Sequence, residues 1–138
     1  MTIKDTTTIR VRFNETDPLG IVWHGNYISY FEEGREAFGR KHSLSYLDIK
    51  NNGYVTPIVE SFSRHKLPLK YGDVATIETT FEDVPAAKMI FTYKIFNAEG
   101  KVVCLGRTIQ VFVEVNGDLS LNLPSFFKAW KKKVGLIK

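Results

Sequence analysis

Asp17-Pro18-Leu19-Gly20-Ile21-Val22-Trp23-His24 places a carboxylate, a tight turn and a histidine in quick succession, and Gly25-Asn26-Tyr27 then opens a helical pattern. Carboxylates and imidazoles are common proton-transfer groups, and a carboxylate can also attack an electrophile directly. Asp17 and His24 are therefore the catalytic candidates. Trp23, Gly25, Asn26 and Tyr27 surround them and are candidates for holding a substrate. The plainer reading is a strand-to-helix connection in which Asp17-Pro18 only opens a turn, a frequent job for Asp. Tyr27 equally suits a core position.

Such a segment acts only if its neighbours hold it still. Upstream, Thr7 to Phe13 alternates β-branched or aromatic residues with polar ones, which predicts a strand. Downstream, Asn26 to Arg40 reads as a helix: Tyr27, Tyr30, Phe31, Gly34 and Phe38 recur at spacings of three and four and form one apolar face. Gly34 on that face costs about 1 kcal/mol against Ala, which is tolerable where a helix lies close against a sheet. Glu15 reads as a solvated loop acid. Ser45-Tyr46-Leu47-Asp48 resembles a capping box with Asp in the Glu position, predicting a short helix that ends before Gly53.

Strands follow. Tyr54 to His65 is interrupted by Pro57, which predicts an edge or a bulge. Val74 to Asp83, Lys88 to Asn97 and Val102 to Val115 are the others, with Ala98-Glu99-Gly100 as a hairpin turn and Asn116-Gly117 closing the last strand. Pro124-Ser125-Phe126-Phe127 begins a C-terminal helix. Strands grouped after one long helix predict an α+β fold, an antiparallel sheet with the helix on one face. No repeat, linker or low-complexity stretch divides the chain, so residues 1–138 read as a single domain.

Several function classes have no support. Hydrophobic residues make up 43%, enough for a core and against disorder. The net charge of +4 is mild and suits at most a small polyanionic ligand; no basic stripe with interleaved aromatics points to nucleic acid. The densest basic run, Lys128 to Lys133, reads as a solvated helix end favoured by the helix dipole. No apolar run approaches the roughly 20 residues of a membrane span. The first residues lack signal-peptide features, and the single cysteine excludes an internal disulfide framework; together these predict a cytoplasmic protein. There is no Gly-x-Ser-x-Gly elbow and no glycine-rich phosphate loop. His24, His42 and His65 are not spaced as metal ligands and no Cys-x-x-Cys occurs, so neither metal nor cofactor is expected. Cys104 lies mid-strand among apolar residues and reads as core rather than nucleophile.

The stretch Arg10-Val11-Arg12-Phe13-Asn14-Glu15-Thr16-Asp17, then Gly20-Ile21-Val22-Trp23-His24 and Tyr27, resembles the hotdog-fold thioesterases of the 4-hydroxybenzoyl-CoA thioesterase class. Leu67-Pro68-Leu69-Lys70-Tyr71-Gly72-Asp73 is similar to that family's turn before its central strands. The resemblance covers roughly residues 8 to 115. Phe13 departs from the pattern, a tyrosine being common there in some members, and Asn14 stands where many relatives carry an acid.

The resemblance implies an antiparallel sheet wrapped around one long central helix, and hydrolysis of an acyl-CoA to free acid and CoA. It implies Asp17 as nucleophile or general base, and backbone N–H near His24 as oxyanion donors, since the first N–H groups of a helix lack partners and sit at its positive end. His24 would orient water, polarise the carbonyl or assist the leaving thiolate. Arg64, Lys66 and Lys70 lie in or beside the region that lines the CoA path in hotdog dimers and would form a cationic rim for its phosphates. Trp23, Tyr27, Tyr30 and Phe31 would shape the acyl pocket. A homodimer or homotetramer is implied, with sites at the subunit boundary. Acyl-carrier-protein hydrolysis and non-catalytic acyl-CoA sensing remain alternatives; a dehydratase matches less well.

Overall fold

The computed structural model describes residues 3–138. Strand β1 (Ile3–Arg10) leads through a 3-10 turn (Phe13–Glu15) and the Asp17 turn to helix α1 (Asn26–His42), then to α2 (Tyr46–Asn51). Strands β2 (Tyr54–Val55), β3 (Ile58–His65), β4 (Val74–Glu82), β5 (Lys88–Phe96), β6 (Val102–Val111) and β7 (Val113–Glu114) follow, and α3 (Ser125–Lys133) ends the series. Five strands form one antiparallel sheet in the order β1-β4-β5-β6-β3, and β2 pairs with β7 in a separate ribbon. The α+β arrangement expected from the grouping of elements is present, with the sheet packed around α1.

The apolar face read from spacing is the face that packs. Tyr27, Tyr30, Phe31, Gly34 and Phe38 are all buried. Each ring that leaves water in this way contributes about 1.5–3 kcal/mol. Gly34 lets the helix backbone touch β4: a Cβ there would fall 2.8 Å from Ile77 Cγ2 and would strike Thr79 Oγ1. Phe31 lies on the bare backbone of Gly106 in β6 and stacks on Tyr93 in β5, with ring centroids 4.6 Å apart.

Boundaries shift where local pattern and pairing differ. β1 starts at Ile3 and stops at Arg10, and Phe13 lies in the 3-10 turn instead of the strand. Pro57 splits the Tyr54–His65 run, and β3 carries a register shift between Ile58 and Glu60 on the sheet edge, as a proline there predicts. The last strand also breaks, at Phe112, because Val113 leaves β6 to pair with Val55 of β2. The capping box forms, Ser45 and Asp48 each bonding the other's backbone N–H. Those bonds hold the Asp48 carboxyl below its ordinary range, the Ser45 backbone N–H contributing most.

One reading of the C-terminal basic run is corrected. Lys128, Lys132 and Lys133 are exposed, but Lys131 is 2% exposed. Its Nζ lies 2.7 Å from Asp83 Oδ1 and donates to the Val84 carbonyl at 2.7 Å, over the Phe127 ring. It pins α3 to the loop after β4. A buried ammonium survives only with such partners.

Candidate active site

The connection between the 3-10 turn and α1 is a small hairpin. Thr16 bridges Val22, and Asp17 N–H donates to the Ile21 carbonyl at 2.9 Å. Asp17 Oδ1 accepts the Leu19 N–H at 2.9 Å, and the Asp17 carbonyl accepts the Gly20 N–H at 2.9 Å. Gly20 takes φ +79°, a conformation glycine enters without a Cβ penalty. Asp17 thus does open a turn. It remains half-buried, and one carboxylate oxygen is oriented by the backbone while the other has no partner among the described residues.

A second layer supports the hairpin. Val22 N–H donates to Leu69 at 2.8 Å, and Ile21 bridges Lys70, so the 66–73 turn lies alongside. Glu15, read from sequence as a solvated loop acid, is instead a fastener, its side chain 15% exposed. Its Oε1 accepts the Arg12 N–H at 2.7 Å and the Tyr30 hydroxyl at 3.0 Å. Its carbonyl accepts the Trp23 N–H at 2.9 Å and Asn26 Nδ2 at 2.8 Å. Burial, the hydrogen bond to Glu15 and the charge of that carboxylate push the Tyr30 hydroxyl upward from its ordinary pKa. The Asn26 amide is therefore committed to the loop, and Tyr30 and Phe31 to the core.

At the start of α1 two backbone donors are left over. Asn26 N–H returns to Trp23 and Tyr27 N–H to His24, but among the described residues neither the His24 nor the Gly25 N–H has an acceptor. No side chain caps the helix. The 17-residue α1 directs the positive end of its dipole to this point. The site can therefore stabilise negative charge on a carbonyl oxygen.

Aromatic rings frame these donors. Trp23 is half-exposed and its indole lies on Gly25, where a Cβ would collide with it. The space that Gly25 leaves open is thus taken by this ring. His24 is exposed, 5.0 Å from the Trp23 ring on one side and 6.3 Å from His65 on the other. Tyr27 is 3% exposed, and its ring lies 5.0 Å from His65. Burial above all, with the Cys104 thiol adding and a Leu69 backbone hydrogen bond opposing, pushes the Tyr27 hydroxyl up to about 12, so it stays neutral at physiological pH.

Of the three basic candidates, Lys66 and Lys70 are exposed on the turn beside the hairpin. Arg64 lies over the Phe62 ring at 5.8 Å, and strand alternation puts that pair on the opposite face of the sheet from His65. In the sequence His65 stands out only as a possible metal ligand, and its spacing does not suit one. Its place opposite Cys104, beside His24, comes from long-range strand pairing that spacing does not reveal. Cys104 is fully buried and its thiol is pushed up to about 11 by burial, as a core cysteine should be. No cluster suited to a metal occurs among the described residues, and no helix is long and apolar enough to cross a membrane.

The sequence profile of the thioesterase-like superfamily matches residues 11–131. A Bacillus subtilis protein, YneP, provisionally named an acyl-CoA thioesterase, is 31% identical over 88% of each chain. The Escherichia coli acyl-CoA thioester hydrolase YbgC is 24% identical over 77% of this chain and 79% of its own. Among solved structures, a DHNA-CoA thioesterase from Staphylococcus aureus superposes with a TM-score of 0.85 at 26% identity, covering 96% of this chain and 92% of that one.

Proposed function

The chain belongs to the thioesterase-like superfamily, and from that premise we propose that its catalytic centre is the Asp17 turn together with the start of α1. The protein is an acyl-CoA thioesterase: it hydrolyses a thioester to a free acid and the CoA thiol. A thiol, with a reference pKa near 8.5, leaves readily, so the protein need only supply an oxygen nucleophile and a home for the developing negative charge.

The observation that carries this reading is the pair of N–H groups at His24 and Gly25 with no acceptor, at the end of the short hairpin that carries a backbone-oriented aspartate. The thioester carbonyl oxygen would accept from those amides, and removal of one such donor typically costs about 2.7–4 kcal/mol of barrier. Asp17 then either adds to the carbonyl carbon, expelling the thiolate and leaving a mixed anhydride for water to open, or takes a proton from an attacking water. His24 is the group placed to assist the departing thiolate or orient that water. Trp23 would wall the acyl group, and Tyr27, as buried as Tyr30, would back it from the core. Lys66 and Lys70 would meet the CoA phosphates, whereas Arg64 lies on the opposite face of the sheet from His65 and drops out of that rim.

The free edge of β3 exposes Ile58, Val59 and Phe62. An uncovered apolar edge strand favours pairing, so two copies would join along it into a homodimer; sedimentation as a monomer at micromolar concentration would rule this out.

The test of the site is Asp17→Asn. Asparagine keeps an oxygen for the Leu19 N–H and so keeps the turn, while removing the charge. Thiol release from a panel of short, long and aromatic acyl-CoAs should fall by on the order of 10²–10⁴, with the thermal midpoint nearly unchanged. Full turnover by this variant on every active substrate would overturn the assignment, and matched acyl-carrier substrates would show which carrier is preferred.

A further inference from the structure

We propose that His65 is a positioning residue for this site: it is fixed in the sheet by Ser63 and Cys104 and in turn holds the His24 imidazole at the start of α1. This rests on the reading of that location as the catalytic centre.

His65 lies at the end of β3, opposite Cys104, and Ser63 lies opposite Gly106. Gly106 faces Phe31 of α1, so Ser63 and His65 leave the sheet on its helix side. Both imidazole nitrogens have partners. Nε2 lies 3.1 Å from Ser63 Oγ, and Nδ1 lies 4.0 Å from Cys104 Sγ. The Cys104 S–H donates to the Leu105 carbonyl at 3.6 Å, so the tautomer that tethers the ring at both points carries its proton on Nδ1, donating to Sγ while Nε2 accepts from the Ser63 hydroxyl; this fixes the ring's plane as well as its place.

This tethered ring meets Tyr27 at 5.0 Å, tilted by 59°, and His24 at 6.3 Å, nearly perpendicular at 74°. The His24 imidazole has no hydrogen-bond partner among the described residues. Its ring is held by packing alone, between the Trp23 indole and His65. The Trp23 indole has no hydrogen-bond partner among the described residues, whereas His65 is tethered, so His65 is the fixed side of the clamp. Edge-to-face pairs of this kind favour one orientation over others. The orientation matters because a misplacement of about 1 Å at a reacting centre can cost on the order of 10²-fold in rate. His65 is exposed on an edge strand, so its contribution to the core is small.

A double-mutant cycle tests this, with kcat and KM for thiol release measured separately on one active acyl-CoA. His65→Ala should lower kcat on the order of 10- to 100-fold while KM and the thermal midpoint stay near wild type. In a His24→Ala background the same change should have almost no further effect, because its target is gone. His65→Phe keeps a flat ring but loses both tethers and should recover only a small part of the lost kcat; a full recovery would show that the tethers do not position His24. Losses that multiply in the double variant, or a wild-type kcat in His65→Ala, would overturn the proposal. A second readout does not depend on turnover: the His24 ring resonances in the NMR spectrum should shift and broaden in His65→Ala. If no acyl-CoA is turned over even by the wild-type chain, the proposed function fails, and those resonances still decide the role of His65: if they stay unmoved, the positioning role fails as well.

Discussion

The two ends of α1 face opposite demands. At its C-terminal end every available device is used to close the helix. Ser43 caps it in the left-handed conformation, φ 58°, with its N–H on the Gly39 carbonyl, and Leu44 N–H reaches the same oxygen. Trp130 of α3 donates its indole N–H to the His42 carbonyl at 2.6 Å. Arg40, Lys41 and His42 place basic side chains against the negative end of the dipole. At the N-terminal end the loop beneath is fastened just as firmly, through Glu15 and Tyr30, yet two amides and the rings of Trp23 and His24 are left open. Unsatisfied donors are costly when buried and useful when a ligand can reach them. Every helix leaves donors at its first turn, and it is their exposure on a well-supported loop, beside open rings, that separates a site from a frayed terminus.

The contrast can be broken most severely at the closed end. Trp130→Ala removes a ring stacked on Phe127 and set edge-on to Phe81, together with the bond to His42. The expected loss is about 3–5 kcal/mol in chemical denaturation, with turnover per folded molecule unchanged. A fall in turnover to match the loss of stability would mean that the two ends are not independent. Tyr30→Phe acts at the open end: it deletes one hydroxyl and leaves the Glu15 carboxylate short of a donor. About 1–2 kcal/mol of stability should go, and kcat should fall with it because the fastener lies under the donors. An unchanged kcat would show that Arg12 and Asn26 suffice. The smallest effect sharpens the picture of the closed end. Ser43 is exposed and is the one non-glycine residue with positive φ among those described. Ser43→Gly should stabilise the chain by about 0.5–1 kcal/mol, read as a raised melting midpoint with no change in rate.

What could be read in advance follows the range of each interaction. The buried face of α1 was legible because helix periodicity is local, and so was the break at Pro57, because proline lacks a ladder donor whatever its surroundings. The break at Phe112 was not. Val102 to Val115 carries no proline and no turn signal, and what ends β6 is the position of β2, whose Val55 pairs with Val113. Lys131 and Glu15 were misread for one reason: charged residues default to solvent, and their partners Asp83 and Tyr30 are distant in sequence. His65 shared this fate. Its neighbours Cys104 and His24 lie about 40 residues away on either side and meet only through sheet pairing and the fold of the loop. That Asp17, His24 and the helix start share one loop was legible because they are contiguous; the loop's supports were not.

The sealed sulfur of Cys104 has a practical side. An assay for this activity counts free thiols, and the protein carries one of its own. That sulfur lies at 0% exposure within the sheet and is kept protonated well above neutral pH, so a disulfide reagent meets it only when β3 parts from β6. In the folded state the chain is silent toward the dye and every count comes from coenzyme. The one equivalent that appears slowly without substrate then serves as a clock for the opening of the sheet edge, recorded in the same cuvette.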